Sequence, residues 1–230
     1  VFFSPEDLNI IKNGPAERRR FIDLELSQLD KIYFNNLSNY NRIVNQRNHL
    51  LKEIGIENKK NLMETLEIWD LQLIEYGNRL IERRKQFIQD MNEIVSSVHR
   101  KLTGNRENIK IIYEPCNGNI PLEQTIKKNR ERDLRMKSTS SGPHRDDICI
   151  MHDRMDIRKF GSQGQQRTAA LSLKLAEIEL VKNTIGDTPV LLLDDVLSEL
   201  DKHRQNYLLD SISDIQTLIT CTGVEDFVNH

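Results

Sequence analysis

The sequence predicts an α/β protein, with parallel strands and flanking helices in one lobe and a mostly helical arm, or lid, as a second domain. Pro189–Asp195 contains four consecutive aliphatic residues, typical of a strand buried on both faces of a parallel sheet. The segment that begins at Phe160 has the pattern of a helix with a capped start. Residues 26–102 carry apolar side chains at three- and four-residue spacing, as amphipathic helices do.

The elements follow one another along the chain in a simple order. Val1–Phe3 predicts the end of a strand, and Pro15 the first turn of a helix. Ile109–Tyr113 alternates as a strand does, Leu122–Arg135 predicts a helix, and Gln216–Cys221 a strand beside the aliphatic one.

Two carboxylates, Asp194 and Asp195, stand where the aliphatic strand ends. Ligands of open α/β sheets lie at the carboxyl ends of strands. A hydrophobic run that closes on Asp-Asp has the Walker-B arrangement, in which one acid holds Mg²⁺ and the next polarises the attacking water. Asp194 is therefore the candidate Mg²⁺ ligand, through water, and Asp195 the candidate general base. The structural alternative is that Asp195 or Ser198 only caps the following helix.

A helix start upstream of that strand is a candidate phosphate site. Ser162 and Gln165 have capping-box spacing, so a helix is predicted to begin there with free backbone N–H groups and a positive dipole end. Such an end suits a phosphate. The candidate residues are Ser162, Gln163, Gly164 and Gln165. The alternative is an ordinary helix start that contains a glycine.

The order of these segments resembles the signature, Walker-B and D-loop series of ABC-type ATPases. The residues of Ser162–Thr168 and Leu193–Asp201 are similar to the corresponding motifs of the RecF family of bacterial recombination mediators. The segments Gly14–Phe21 and Gly142–Asp147 also resemble RecF sequences. The resemblance covers almost the whole chain. It implies that the parallel lobe is a partial ABC-ATPase head.

The resemblance also implies an activity. ATP would lie between two copies of the protein, so Ser162–Gln165 would contact a nucleotide held mainly by the partner subunit. Ser198 and Asp201 would form the D-loop, and Thr222 occupies the switch position where many ABC ATPases carry a histidine. ATP and Mg²⁺ are the implied cofactors. Asp195 stands where most ABC-type relatives have the longer Glu, which favours slow hydrolysis.

The implied setting is cytoplasmic DNA repair and replication, including gap repair and the SOS response. The implied partners are DNA (double-stranded DNA and single-strand/double-strand junctions), a second copy of the chain in an ATP-dependent homodimer, RecR, RecO and RecA.

One part of such an ATPase is missing from the sequence. ATPases of this kind need a GxxxxGK[ST] phosphate loop, and none of the ten glycines is followed by lysine. We therefore expect a carboxyl-terminal piece that is inactive as an ATPase on its own. The expected limits are residues 1–5 for the end of a head strand and the start of the arm, 6–141 for the helical arm with a small strand element, and 142–230 for the head lobe with signature, Walker B and D-loop.

The charge distribution points to the arm as the site for a polyanion. The net charge is −2, but residues 160–230 contain 5 Lys/Arg against 11 Asp/Glu. Clustered cations suffice for sequence-independent DNA binding. The predicted helix Leu122–Arg135 supplies the candidate DNA-binding residues, which are Lys127, Lys128, Arg130, Arg132 and Arg135. The alternative is an exposed helix whose cations pair with Glu123, Glu131 and Asp133.

A second basic cluster opens the first arm helix. Arg18, Arg19 and Arg20 oppose the dipole of a helix start, so they predict an anionic partner, either protein carboxylates or nucleic-acid phosphate. Trp69 is predicted to be a core residue. The residue types in Gly142–Asp147 assign that segment no role, and three adjacent residues such as His144, Asp146 and Asp147 do not easily converge on one metal ion.

Two other function classes stay open. One is an SMC-type structural ATPase, although the arm pattern is too short and irregular for a long coiled coil. The other is a metal-dependent phosphohydrolase or nuclease that uses Asp194 and Asp195 directly, which would need further carboxylates near the pair. No apolar run approaches the length of a membrane span.

Overall fold

The structure, a computed structural model, describes residues 1–57 and 60–221 and separates the chain into two compact units. The sheet unit contains Val1–Gly14, Gln89–Ile112 and the described part of 149–230. The helical unit contains Pro15–Ile88 and Tyr113–Ile148. Each unit is described by itself below.

The secondary structure agrees closely with the predicted order of elements. The strands are β1 (Phe2–Phe3), β2 (Ile109–Glu114), β3 (Asp147–His152), β4 (Met155–Asp156), β5 (Leu191–Asp194) and β6 (Thr217–Thr220). The helices are α1 (Pro15–Leu29), α2 (Lys31–Glu57), α3 (Lys60–Leu102), α4 (Leu122–Met136), α5 (Ile157–Phe160), α6 (Gln163–Ile185) and α7 (Lys202–Ser211). Short 3-10 turns cover Pro5–Asn9, Pro143–Arg145 and Leu197–Glu199.

The sheet unit contains a parallel sheet of strand order β1-β5-β6. Leu192 pairs with Phe2 on one side and Leu218 on the other, so the aliphatic strand β5 is central. The prediction that β5 is buried on both faces is wrong for this chain. Leu191 and Leu193 are buried, whereas Leu192 is 41% exposed, because successive side chains of a strand point to opposite faces and one face packs here.

Helix α6 of the sheet unit is deeply buried along its middle. Its residues 168–178 are all buried, including Leu171, Leu173 and Ala176. It ends at Gly186, whose φ of +72° suits the left-handed C-cap that glycine adopts without a steric penalty. A second sheet has the order β2-β3-β4, with β3 antiparallel to β4.

The helical unit has an apolar core and a buried ionic core. Leu50, Leu51, Ile54 and Leu66 form an apolar cluster, and the partly buried Trp69 packs against it, as expected for a residue at the edge of the core. Beside it, the buried Arg47 guanidinium donates to Asp70 Oδ1 at 2.7 Å, to Asp133 Oδ2 at 2.8 Å and to Thr139 Oγ1 at 2.9 Å. Buried charges persist where they are paired in this way.

The segment Gly142–Asp147, for which the residue types predicted no role, holds elements of the helical unit together. Arg84 Nη1 donates to the Pro143 carbonyl at 2.7 Å, and the Tyr40 hydroxyl lies 2.7 Å from His144 Nδ1. Gly142 has φ +128°, and an added Cβ would collide with the Tyr40 hydroxyl. Glycine is therefore required at this close approach.

The two acids that end this segment bind further partners. Asp146 accepts hydrogen bonds from the Tyr113 hydroxyl and, at 2.8 Å, from the Cys116 N–H. Asp147 forms a two-point ion pair with the buried Arg18, at 2.6 and 3.0 Å. The anionic partner of Arg18 is thus a protein carboxylate, one of the two predicted alternatives.

The boundaries of the two compact units differ from the domain limits expected from the sequence. Residues 6–14 and 89–112 belong to the sheet unit, and 142–148 to the helical unit. The hydrogen bonds of Gly142–Asp147 described above are accordingly made within the helical unit. As functional domains, the expected limits stay a prediction. In residues 1–57 and 60–221, no helix combines the length and apolarity that crossing a membrane requires.

Candidate nucleotide-binding site

The start of α6 is an exposed, fully capped helix tip. Ser162 is the N-cap residue; its hydroxyl oxygen accepts from the Gln165 N–H at 3.2 Å, and the Gln165 side chain accepts from the Ser162 N–H at 3.0 Å. Ser162, Gln163 and Gly164 are all exposed. Residues at this tip present backbone N–H groups and the positive end of the helix dipole to solvent, a combination that binds anions.

The turn that leads into this tip is held by its neighbours. Gln166 Nε2 lies 3.2 Å from the Ile157 carbonyl oxygen and 3.3 Å from that of Gly161. A Cβ on Gly161 would approach the Ile157 carbonyl oxygen to 2.6 Å, so any larger residue would force the backbone to shift. A Cβ on Gly164, in contrast, would find its nearest neighbour, Ser162 Oγ, at 4.0 Å. The position of the tip therefore depends on Gly161, while Gly164 leaves open space at its surface.

A partly buried polar cluster that the sequence analysis missed contacts the tip through Gln165. Gln165 Nε2 donates to Glu107 Oε1 at 3.3 Å, and Glu107 Oε2 lies 3.5 Å from Nε2 of the buried His99. His99 Nδ1 in turn lies 2.9 Å from Ser172 Oγ on α6. Burial, only partly offset by Glu107, lowers the pKa of His99 below its ordinary value. No local pattern could reveal Glu107, because it lies 58 residues from Gln165 in sequence.

The end of β5 brings the two candidate acids into contact with β6. Asp194 pairs with Thr220 across the sheet, and Thr220 Oγ1 donates to Asp194 Oδ1 at 2.6 Å. The Asp195 N–H donates to both the carbonyl oxygen and Oγ1 of Thr220, each at 3.1 Å. Thr220 therefore orients both acids, a role that the sequence analysis did not predict.

The Asp194 carboxylate has the chemistry that a magnesium ion requires. It is exposed at the strand end, and hard cations such as Mg²⁺ bind carboxylate and water oxygens. Within residues 1–57 and 60–221, no group of three or more His, Cys, Asp or Glu side chains is arranged to hold a metal ion. A site at Asp194 would therefore rely on water and on nucleotide oxygens for its other ligands.

Asp195 and the candidate D-loop residues follow β5 in the chain. Asp195 has φ +49°, in the left-handed region, so the chain turns sharply at the end of the strand. Ser198 Oγ donates to the Asp195 carbonyl oxygen at 2.8 Å.

Asp201 is the N-cap of α7: it accepts from the Arg204 N–H at 3.1 Å and forms an ion pair with the Arg204 guanidinium. Partial burial acts to raise the pKa of Asp201, but the hydrogen bonds and charge of Arg204 outweigh it and hold the pKa below its ordinary value. The predicted switch residue Thr222 lies outside the described residues.

The five candidate DNA-binding cations on α4 do not form one uniform surface. Arg130 binds Asp70 at 2.9 Å and Glu67 at 3.1 Å, so its charge is compensated within the helical unit. Lys127 pairs with Glu123 at 2.6 Å, an exposed pair of small energetic value. The remaining three are exposed at positions i, i+4 and i+7, which lie on one face of a helix, and are Lys128, Arg132 and Arg135.

These features define the class of the protein. A parallel sheet whose central strand ends in two acids, followed by a D-loop-like turn and accompanied by a buried helix with an exposed, amide-rich tip, is an ABC-ATPase-like α/β fold. A search with protein-family models gives no match.

Individual relatives show which proteins of that class the chain is similar to. The chain is 60% identical over 230 residues to the DNA replication and repair protein RecF of Lachnospira eligens, and equally to that of Agathobacter rectalis. It is 48% identical over 231 residues to RecF of Clostridium botulinum. All of this chain aligns with the first two relatives and spans 63% of their length. The resemblance to the RecF family is thereby confirmed.

A solved structure agrees with this result. The structure of the recombination mediator protein RecF-ATP in the RecFOR pathway superposes with a TM-score of 0.89 at 39% identity. The match covers 98% of this chain and 62% of that chain.

Proposed function

We propose that this chain is the part of a RecF-type, ATP-dependent DNA repair protein that contributes the signature helix tip, the Walker-B acids and the D-loop to an ATP site. The exposed, capped start of α6 is the observation that carries the proposal. Relatives named DNA replication and repair protein RecF and a similar structure titled as a RecF-ATP complex support it.

The tip of α6 acts on a nucleotide held mainly by a second subunit. Ser162 and the N–H groups near Gly164 face solvent, so they are available to the terminal phosphates of such a nucleotide. Binding at this tip favours the closed dimer over separate subunits. Because ATP has a higher affinity for the closed dimer, it shifts the equilibrium between separate subunits and dimer toward the dimer. Hydrolysis of ATP then allows the dimer to open.

The strand-end acids act on the nucleotide held by their own subunit. Asp194 holds Mg²⁺ through water, and the ion supplies charge neutralisation at the phosphates when bound. Asp195 is the candidate base that polarises the attacking water. Its shorter side chain, compared with Glu, and its left-handed backbone favour slow hydrolysis. Ser198 and Asp201 shape the D-loop.

DNA binds to the exposed cations of α4. Lys128, Arg132 and Arg135 carry no ion pair among the residues that the structure describes and share one helix face. They therefore make the larger contribution to phosphate binding, whereas Arg130 is held by Asp70 and Glu67. Reversing Arg132 and Arg135 to Glu should weaken duplex binding and flatten its salt dependence more than Arg130→Gln does.

The wider role follows the family. The whole protein is a slow cytoplasmic ATPase that forms an ATP-dependent homodimer and binds double-stranded DNA and single-strand/double-strand junctions. Together with RecR and RecO it helps RecA to load at gaps, in replication-associated repair and the SOS response. Residues 1–5 and 142–230 belong to its head, and 6–141 to its arm.

The test uses a chain that carries a phosphate loop. This chain replaces the matched segment of the Lachnospira eligens relative, and the chimera carries Ser162→Arg. We expect the variant to bind ATP as a monomer but not to dimerise in sedimentation, because the arginine occupies the space that the partner's nucleotide needs. Thr188→Arg, an exposed change outside α6, is the control. Unchanged ATP-driven dimerisation of the Ser162→Arg chimera would contradict the proposal.

The isolated chain provides a second test. It should neither hydrolyse ATP nor bind it tightly, because no glycine in the sequence is followed by lysine. Turnover that survives purification to homogeneity, and that Asp194→Asn abolishes, would overturn this expectation.

A further inference from the structure

A cavity of about 650 Å³ lies in the helical unit along α1 and α2. It does not involve the nucleotide-site residues or the α4 cations. Its walls combine the apolar side chains of Leu24, Phe34 and Leu37 with the guanidinium groups of Arg19 and Arg20. Cavities that bind ligands are mostly apolar and contain a few well-placed polar groups.

The apolar part of the cavity is accessible. Leu24 is 50% exposed and Phe34 is 56% exposed, although both are large apolar residues on neighbouring helices. Single exposed apolar residues are ordinary on protein surfaces. Two of them that line the same concave site form a place where an apolar side chain can be buried.

The charges of the cavity are not balanced. Asp23, an acid of the lining, already binds Arg84 at 2.7 Å and accepts from the Tyr33 hydroxyl. Arg19 donates to the Asp146 carbonyl at 2.7 Å, and Arg20 is exposed. Neither Arg19 nor Arg20 has a carboxylate within ion-pair distance among residues 1–57 and 60–221. The lining therefore combines three arginines, Arg19, Arg20 and Arg84, with one acid, Asp23, and has an excess of positive charge beside its apolar wall.

The environment of Arg19 makes an added anion favourable. Burial, followed by repulsion from the Arg84 guanidinium, lowers the pKa of Arg19 below its ordinary value, and attraction to the Asp147 and Asp23 carboxylates offsets this only in part. When burial makes a positive charge such as that of Arg19 unfavourable, an anion that binds beside it stabilises the charged form. His144, also in the lining, is held neutral by burial and leaves the positive charge to the arginines.

We propose that this cavity binds an acidic segment of a partner protein, which inserts one apolar side chain against Leu24 and Phe34 and places its carboxylates on Arg19 and Arg20. A protein segment fits better than nucleic acid, because a phosphate backbone has no aliphatic group for this wall. The proposal does not depend on the ATP site.

The experiment measures fluorescence anisotropy with the full chain. The probes are a set of short fluorescein-labelled peptides in which one leucine or phenylalanine is flanked by aspartates at different spacings. Matched peptides replace the aspartates by asparagine, or the apolar residue by serine. We expect saturable binding of an acidic, apolar peptide and at least about tenfold weaker binding of both matched peptides.

Variants of the chain assign the binding to the cavity. Arg20→Glu and Leu24→Ser change exposed side chains, so they should preserve the fold, and each should weaken the peptide about tenfold or more. Arg79→Glu reverses an exposed arginine of the same unit outside the cavity and should leave binding unchanged. Circular dichroism confirms that each variant is folded.

Three results would overturn the proposal. The first is absence of saturable binding for the whole peptide set. The second is equal binding by wild type and Arg20→Glu, or by the acidic and asparagine peptides. The third is an oligonucleotide whose binding Arg20→Glu weakens while no peptide binds, which would make the cavity a nucleic-acid contact.

Discussion

The hydroxyl of Thr220 donates a hydrogen bond to the carboxylate of Asp194 at 2.6 Å, joining the ends of two adjacent parallel strands. The same hydroxyl oxygen accepts from the Asp195 N–H at 3.1 Å. One threonine side chain thus sets the position of the candidate Mg²⁺ ligand and of the candidate base. Groups that orient a metal ligand in this way commonly change metal affinity or activity about 10- to 100-fold when removed.

Thr220→Val should therefore separate function from stability. The change keeps the shape of the side chain and removes its oxygen, so the free energy of unfolding should fall by only about 1 kcal/mol at this exposed site. In the phosphate-loop chimera, ATP hydrolysis should fall about 10-fold or more, or require more Mg²⁺. Thr217→Val, on the same strand but bonded to the Ile215 carbonyl, is the control. Equal activities for the two variants would contradict the role of Thr220.

Two glycines near the α6 tip should respond in opposite ways to alanine. Gly161→Ala should lower the free energy of unfolding by about 1–3 kcal/mol, since its Cβ would meet the Ile157 carbonyl oxygen at 2.6 Å. Gly164→Ala should leave stability unchanged or raise it by about 0.5–1 kcal/mol, because alanine is the better helix former and the nearest atom is 4.0 Å away.

Urea denaturation measures both effects. The same Gly164→Ala change in the chimera should weaken ATP-driven dimerisation, because a methyl group covers the exposed tip. A Gly164→Ala variant that is stable and dimerises normally would argue against this tip as the phosphate contact.

The buried Arg47 should be essential to the stability of the helical unit. Arg47→Met leaves the fully buried Asp133 without its guanidinium partner, so we expect a loss of about 3–5 kcal/mol in the free energy of unfolding. Adding Asp133→Asn should recover part of this loss, because it removes the unpaired charge. Arg42→Met, at an exposed position of the same helix, should cost less than about 0.5 kcal/mol. Similar urea midpoints for Arg47→Met and Arg42→Met would refute the prediction.

His144 should make the stability of the helical unit depend on pH. Burial lowers the pKa of His144 from 6.5 to about 4, and only in the neutral ring can Nδ1 accept from the Tyr40 hydroxyl while Nε2 donates to the Thr139 carbonyl. Between these two values the unfolded chain binds more protons than the folded chain. This stabilisation is complete above pH 6.5 and is lost as the pH falls toward about 4.

The expected loss over that window is at most about 3 kcal/mol, and His144→Gln should remove this part of the pH dependence. Carboxylates whose pKa is lowered, such as Asp30 and Asp201, lose their contribution mainly below their ordinary value of 3.8, outside the window. A wild-type profile that is flat across the window would show that His144 is not buried neutral.

Local sequence patterns were sufficient to predict the secondary-structure elements and to select the candidate site residues. The Ser162–Gln165 cap depends on residues three apart, and the strand Leu191–Asp194 on a short aliphatic run, so both could be predicted and both occur. The expected pairing of this strand with β6 is also confirmed. The burial of Leu192 on the second face was predicted wrongly, because burial depends on what packs against a strand and not on its own side chains.

Contacts between distant parts of the chain could not be predicted in the same way. Glu107 binds Gln165 at the start of α6 across 58 residues, Thr220 orients Asp194 across 26, and Asp147 neutralises Arg18 across 129. Periodicity, caps and motif spacing act within a few residues along the backbone, so they identify helices, strands and acids at strand ends. Which of the many polar side chains meet, and which remain free for a ligand, is decided only when packing excludes water and brings particular groups within hydrogen-bonding distance.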